Sequence, residues 1–294
     1  VICSEEPLEQ GKNDGDDECN TKDEPMDRAS GVESPHPHLQ GMLLGCDFIN
    51  SKASMAMQHS LTDIEPRTGY KQQAAERGAE FVQSGMVVGL GTGSTAIFAT
   101  RRIAQLLRGG RLKDIVGFAT SKAVWEEARR LGIPVMAEEM PHAIDLTIDG
   151  ADEVDPELNL IKGGGGALLR EKIVAQASRR VIIIADDSKL SPRLGARHAV
   201  PIEVLPFGWR SQFRYVESIG ARAEVRRNTN GSQFLTDSGN LIFDCNFGPI
   251  ASPAELAARL NMRAGIVEHG LFLGLATDAI IVGMDGIRHL IHKK

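Results

Sequence analysis

Asp149, Asp152, Lys162 and Glu171 fall together in the segment "DGADEVDPELNLIKGGGGALLRE" (149–171). Carboxylates beside a single cation are the residue types for moving protons while an oxyanion forms nearby. Asp149 and Asp152 are three apart and would face opposite ways on a continuing strand. Gly150 between them lets the chain bend, so that both can address one ligand; an Asx turn with a helix cap is the plainer alternative. The run "KGGGG" (162–166) has more glycines than a cap needs and lets backbone approach a ligand closely or move. Lys162 beside it is suited to neutralise an oxyanion; a flexible linker with a solvated lysine is the alternative. Glu171 has Ala167, Leu168, Val174 and Ala175 as its i−4, i−3, i+3 and i+4 neighbours. Partial burial there raises a carboxyl pKa and makes a better base near neutral pH, against the alternative of a structural salt bridge. Glu153 and Asp155 read as solvated, with "DPEL" as a turn into a short helix.

A second segment, "GLGTGST" (89–95), lies between an apolar run and a helical one. Its small residues allow backbone N–H groups to approach an anion, and the helix N-terminus adds partial positive charge. Thr92, Ser94 and Thr95 add hydroxyl donors. No GK[ST] follows, so it is not a P-loop. The next strand ends in "GFATS" without the acidic residue that holds a ribose hydroxyl, which disfavours a dinucleotide. Phosphate without a nucleotide is the better reading, with a plain tight βα turn as the alternative. In "DDSKL" (186–190), Lys189 can reach a phosphate or substrate hydroxyl from the same edge, with an ordinary surface lysine as the alternative. His142, His198 and His269 match no ligand spacing, and Trp125 and Trp209 read as packing residues.

These segments need elements to hold them. A helix is expected from residue 67 to Gly85, then strands at 86–90 and 114–119, with helices at 95–110 and 121–132. Further strands are expected over "IPVMAE" and "DLTID", then a helix at 167–178 and a strand at 180–186. This alternation implies βαβ units: a Rossmann-like, mainly parallel sheet with helices on both faces. Ligands then collect at the carboxyl ends of the strands. Beyond 201 the pattern changes. A helix at 208–219, strands near 221–226, 233–236 and 240–245, a helix near 253–261 and a strand near 266–273 read as a smaller inserted α+β domain. The expected division is 61–200 with 275–294 for the α/β catalytic domain, and 201–274 for the small one.

The chain has 294 residues, 42% apolar, and a net charge of −6. That supports a substantial core and disfavours nucleic acid as a partner by charge alone. No apolar run reaches membrane-spanning length. Cys3, Cys19, Cys46 and Cys245 form no CxxC pair, which fits a reducing compartment. Residues 1–60 are acidic and polar and read as a disordered tail. They lack the pattern of a secretory signal and are too acidic for a transit peptide, so the expected setting is cytoplasmic rather than plastid. By position, Met55 or Met57 suits a start for the folded part.

In order and spacing, "GLGTGST", "IDGADEVDPELNLIKGGGGALLREKI", "DDSKL" and "VEHGLF" resemble the type A ribose-5-phosphate isomerases, over about Tyr70 to Ile291. The resemblance implies an aldose–ketose isomerase of the non-oxidative pentose phosphate pathway, with a pentose phosphate as its small-molecule partner. It also implies no metal or organic cofactor, and a homodimer or homotetramer. It assigns sugar and phosphate binding to Thr92, Gly93, Ser94 and Thr95. The acidic loop becomes Asp149, Gly150, Ala151 and Asp152, and the lysine loop Lys162, Gly163, Gly164 and Gly165. Glu171 becomes the catalytic glutamate, Lys189 a further substrate-binding lysine, and Lys71 a lysine facing the phosphate. The alternatives are another sugar-phosphate isomerase or deaminase, or a non-catalytic sugar-phosphate sensor. A sensor would want a helix-turn-helix segment, and none is visible.

Overall fold

Short, nearly continuous apolar runs joined mainly by helices build the main sheet of this computed structural model. The structure describes residues 67–137, 139 and 143–292. The tail at 1–60 and His142 lie outside the described residues. After a helix at 67–79 (α1) come β1 (Val87–Leu90), α2 (Ala96–Arg108), β2 (Val116–Ala119), α3 (Lys122–Arg130) and β3 (Leu146–Asp149). Two short strands, β4 (Glu153–Val154) and β5 (Leu160–Ile161), precede α4 (Leu168–Gln176) and β6 (Val181–Asp186). Then follow β7 (Val200–Val204), α5 (Trp209–Ser218), β8 (Arg222–Val225), β9 (Leu241–Asn246), α6 (Pro253–Asn261) and β10 (Ile266–His269). The chain ends in β11 (Leu271–Phe272), β12 (Asp278–Gly283) and β13 (Gly286–Ile291).

The six-stranded sheet has the order β13-β12-β6-β3-β1-β2. All its pairs are parallel except the β12–β13 hairpin at the edge. The fold is therefore α/β with a mainly parallel sheet, as expected. From β1 the chain runs to β2 on one side and returns to β3 on the other. The crevice between the ends of β1 and β3 is thus the topological switch point, where ligands bind in such sheets. Period-two alternation separates the faces. Ile182, Ile184, Ile148 and Leu90 pack with Ala75, Ile103 and Ala128 from α1–α3. Val181, Ile183 and Ala185 face the other way, toward Ala175 of α4, Leu160 and Phe272.

Two antiparallel sheets complete the architecture, one ordered β10-β7-β9-β8 and one β11-β5-β4. Ile202, Val204, Phe243 and Cys245 of the first pack on Val216 of α5 and Leu260 of α6. Gly270 joins the two sheets: its N–H donates to the Pro201 carbonyl at 2.7 Å, and its own carbonyl accepts from the Lys162 N–H at 2.9 Å. This splits the strand expected at 266–273 into β10 and β11.

Other differences from the expected elements have local causes. The first helix stops at 79 rather than 85, because i→i+3 bonds from Glu80, Phe81 and Val82 tighten its end. The described part of "IPVMAE", 133–137, makes only a bridge, Val135 to Gly117, and Pro134 has no N–H to extend the pairing. Residues 233–236 contribute a single bridge, Gln233 to Arg227. "DPEL" turns without a helix, as Asp155 Oδ1 accepts the N–H groups of both Glu157 and Asn159 at 2.9 Å. Glu153 and Asp155 are buried, not solvated. Among the described residues, no helix is long and apolar enough to cross a membrane.

Candidate active site

Asp149 is the last residue of β3, the strand beside the switch-point crevice, and is 2% exposed. Close backbone approach makes room for it. A Cβ on Gly91 would collide with the Asp149 carboxylate and come within 2.6 Å of its Cα. The carboxylate accepts N–H bonds from Gly150, at 2.7 Å, and from Thr92. The chain bends at Asp152, not at Gly150, whose backbone any residue could adopt. Asp152 then turns toward the glycine loop, where Oδ2 accepts the Gly164 N–H at 2.7 Å. A side chain on Gly164 would run into that carboxylate at 2.7 Å.

Lys162 leaves β5 with its ammonium buried at the centre of the cluster. Its Nζ lies 3.0 Å from Asp149 Oδ2 and 3.2 Å from Glu171 Oε1, and it donates to the Gly150 carbonyl at 2.7 Å. Gly163 follows in the left-handed region, φ 105°, which reverses the chain into α4. Glu171 sits in the first turn of that helix and is 4% exposed. Its Oε1 faces Lys162, while its Oε2 is buried without a hydrogen-bond partner.

Burial dominates the electrostatics. It pushes Glu171 up to about 8; Lys162 opposes the shift and the charges of Asp149 and Asp152 reinforce it. Burial raises Asp149 as well, again against Lys162. Burial alone would lower Lys162, but Asp149 and Glu171 outweigh it and hold the ammonium above its ordinary value. A permanent cation thus lies between two carboxyl groups that both resist losing their protons. Such a group of one base, one acid–base carboxyl and one cation can move protons between carbon and oxygen.

A cavity of about 80 Å³ opens over this cluster. Thr92, Gly93, Ser94 and Thr95 form one wall and Gly150, Ala151 and Asp152 another. Lys162, Gly163, Gly164, Gly165, Glu171 and Lys189 complete the lining. Lys189 ends a short 3₁₀ turn, Asp187–Lys189, after β6. Lys71, on α1, donates from Nζ to Ser94 Oγ at 3.1 Å, so it supports the loop at 92–95 from below. Of the residues assigned to the site, all line this cavity except Asp149 and Lys71, which stand behind it against Lys162 and Ser94. His198 and His269 are not among its lining residues.

Several supporting residues were missed. Thr92 Oγ1 lies 2.7 Å from Thr120 Oγ1 and 2.9 Å from Ser121 Oγ. Those hydroxyls end the "GFATS" segment, and that pair was the available signal. Arg226, fixed by Asp244, donates to the Gly163 carbonyl at 2.8 Å and to that of Gly164 at 3.2 Å. Phe234 fills the space over Gly166. Nothing in the spacing announces these two, which lie more than sixty residues from the loop they hold.

The chain matches the family model for ribose 5-phosphate isomerase A (phosphoriboisomerase A) over residues 116–286. It is 58% identical to the ribose-5-phosphate isomerase A of Chloroflexus aurantiacus, over 75% of this chain and 92% of that one. With the enzyme of Desulfatibacillum aliphaticivorans the identity is 56%, over 75% and 96%. Among solved structures, the ribose 5-phosphate isomerase of Plasmodium falciparum superposes with a TM-score of 0.75 at 43% identity, covering 77% of this chain and 100% of that one. A D-ribose-5-phosphate isomerase in complex with phospho-erythronic acid gives a TM-score of 0.75 at 37% identity, over 76% and 99%. With its site loops, its fold and nearly the full length of these relatives in common, the chain belongs to the ribose 5-phosphate isomerase A family.

Proposed function

We propose that the chain interconverts D-ribose 5-phosphate and D-ribulose 5-phosphate through a cis-enediolate, with Glu171 as the base at carbon. The observation that carries the role of Glu171 is its split environment: one oxygen on Lys162, the other buried and unpartnered beside the cavity. Glu171 removes the C2 proton of the open-chain aldose and returns it to C1. The electron pair moves onto the C1 oxygen, where Lys162 and backbone N–H groups of the glycine loop stabilise the charge. Asp149 serves ring opening and the proton transfer between the two oxygens. Asp152 orients the hydroxyls. The loop 92–95 at the N-terminus of α2, with Lys71 and Lys189, anchors the phosphate and so positions the reacting carbons.

A metal-assisted hydride shift would need a divalent ion held by several carboxylates. Here the Lys162 ammonium fills the space between Asp149 and Glu171, which supports the enediolate route. Running the reaction in D₂O tests it: deuterium should appear on the sugar carbons at low conversion, with full activity in excess chelator. Activity lost to chelator and restored by a divalent ion, with no deuterium uptake, would overturn the assignment.

The domain division at 201 and 275 belongs to the same reading, supported by the separate core around Ile202 and Phe243. So does a homodimer or homotetramer, supported by large apolar side chains left at the surface, such as Phe207, which is 92% exposed. Cys245 is a free buried thiol, which fits the cytoplasm.

A further inference from the structure

The helix that carries Glu171 lacks a cap of its own. Ala167 stands at the N-cap of α4 and supplies no side-chain bond. The missing acceptor comes from the four-stranded sheet. Glu203 of β7, 1% exposed, faces the backbone N–H of Leu169 in the first turn of α4. It also accepts from Thr236 Oγ1 and Asn240 Nδ2, each at 2.9 Å. The Thr236 hydroxyl oxygen itself accepts N–H bonds from Ser238 and Asn240, so its proton is committed to Glu203. Both side-chain donors are ones a carboxylate accepts, while burial, with the facing charge of Glu268, holds the Glu203 pKa above its ordinary value.

A second carboxylate grips the same turn. Glu268 of β10 stands directly opposite Glu203 in the strand register. Its Oε1 accepts from Lys172 Nζ at 2.6 Å, and Lys172 also donates to the His269 carbonyl at 2.6 Å. Leu169 and Lys172 flank Glu171 in the chain. Two facing carboxylates of the small sheet thus fix the helix on both sides of the base. A negative charge at a helix N-terminus is favourable in itself.

We propose that Glu203 is a positioning residue for the isomerisation. Capping the first turn of α4 from another sheet sets how far Glu171 reaches toward the substrate carbon. The inference rests on Glu171 being the base.

Steady-state kinetics of Glu203→Gln, Thr236→Val and Glu171→Gln test it, with folding checked by circular dichroism and melting temperature. An amide at 203 turns a donor toward donors, so α4 shifts. Displacement of a catalytic group by about 1 Å can cost roughly 10²-fold in rate. Glu203→Gln is expected to lower kcat about tenfold or more. KM, and the affinity for a phosphorylated four-carbon sugar acid, should stay within about twofold, because the phosphate loop belongs to other elements. Thr236→Val keeps the carboxylate and removes one donor, so it should lower kcat in the same sense by a smaller factor. A folded Glu203→Gln with wild-type kcat, or one whose loss is all in KM, overturns the proposal. Should Glu203→Gln not fold, Thr236→Val decides, and wild-type kcat there overturns it. Glu171→Gln separates the two readings. If it keeps wild-type kcat, the base assignment fails and this inference with it; if it is inactive while Glu203→Gln is normal, only the positioning role fails.

Discussion

Glu171 presents Oε1 to Lys162 Nζ at 3.2 Å and keeps Oε2 buried with no hydrogen bond. A carboxylate half-satisfied in this way is poised to take a proton. Its pKa, pushed up to about 8 by burial, sets the pH at which the free enzyme becomes competent. The expected kcat/KM profile rises as pH passes through about 8. Glu171→Gln should remove that limb and lower kcat by roughly 10²–10⁴-fold. A variant with near-normal turnover would remove Glu171 from the role.

The same shift has a consequence for stability. The folded pKa of Glu171 lies above its ordinary 4.5, so between the two values the folded state binds more protons than the unfolded. The contribution of the protonated form is full below about 4.5 and is lost as pH rises through about 8. Glu171→Gln mimics the protonated form. Its melting temperature relative to wild type should therefore improve between pH 6 and pH 9, by denaturation at fixed ionic strength. A difference that shrinks toward pH 9 would contradict the raised pKa.

Lys162 is the only cation in contact with both Asp149 and Glu171 among the described residues. Lys162→Met leaves two buried carboxyl groups facing each other without it. Loss of the oxyanion donor should lower kcat by about 10²–10³-fold. Stability should fall at pH 8, where deprotonation of the buried carboxyls is favoured most, and recover toward pH 5, where they become neutral. Parallel thermal melts and rate measurements at the two pH values check this. Equal destabilisation at both would mean that packing, not charge, sets the role of Lys162.

The reacting groups were legible in the sequence because their constraints are local. Asp149 ends an apolar strand at the start of an acidic loop; Lys162 sits against a glycine run; Glu171 has apolar neighbours one turn away. The groups that hold them were not. Glu153 looked like one more surface carboxylate of the acidic turn. Its Oε2 instead accepts the N–H groups of Gly195 and His198, each at 3.1 Å, partners that no spacing in the segment reveals. Arg226 and Glu203 act on α4 and its loop from another sheet, so their work exists only once the chain is folded. The fold was legible where strands alternate with helices. It was less so beyond 201, where Gly270 passes one apolar run between two sheets.

Gly91 offers a test of close approach that leaves every reactive group in place. A methyl group there meets the Asp149 carboxylate and backbone, so Gly91→Ala must push Asp149 or the loop aside. The expected result is a fall in kcat of about tenfold or more. The comparison is Gly132→Ala, at φ 80° just after α3, with no atom within 4 Å of the added carbon. That change should cost stability, on the order of 1 kcal/mol for the left-handed backbone, and leave kcat alone. Equal kinetic effects would show that the loop after β1 has room to spare.

The phosphate end of the site is separable from the chemistry. No side chain caps the N-terminus of α2, and no acidic residue occupies its first turn, so its partial positive charge is left for an anion. Lys71 Nζ lies 3.1 Å from Ser94 Oγ, which brings a second positive charge under the loop. Lys71→Met removes that charge and one hydrogen bond while leaving Lys162, Asp149 and Glu171 untouched. It should raise KM for ribose 5-phosphate and leave kcat nearly unchanged, costing about 1–3 kcal/mol in kcat/KM for a charge-assisted contact. The loss should shrink as salt is added, since a partly exposed charge is screened. Ribose lacking the phosphate should be a poor substrate for wild type and variant alike, with the same kcat/KM for both. Rates measured with the two sugars at low and high salt decide the matter. A Lys71→Met enzyme that loses as much on ribose as on ribose 5-phosphate would show that Lys71 only braces Ser94, and that the phosphate is held elsewhere.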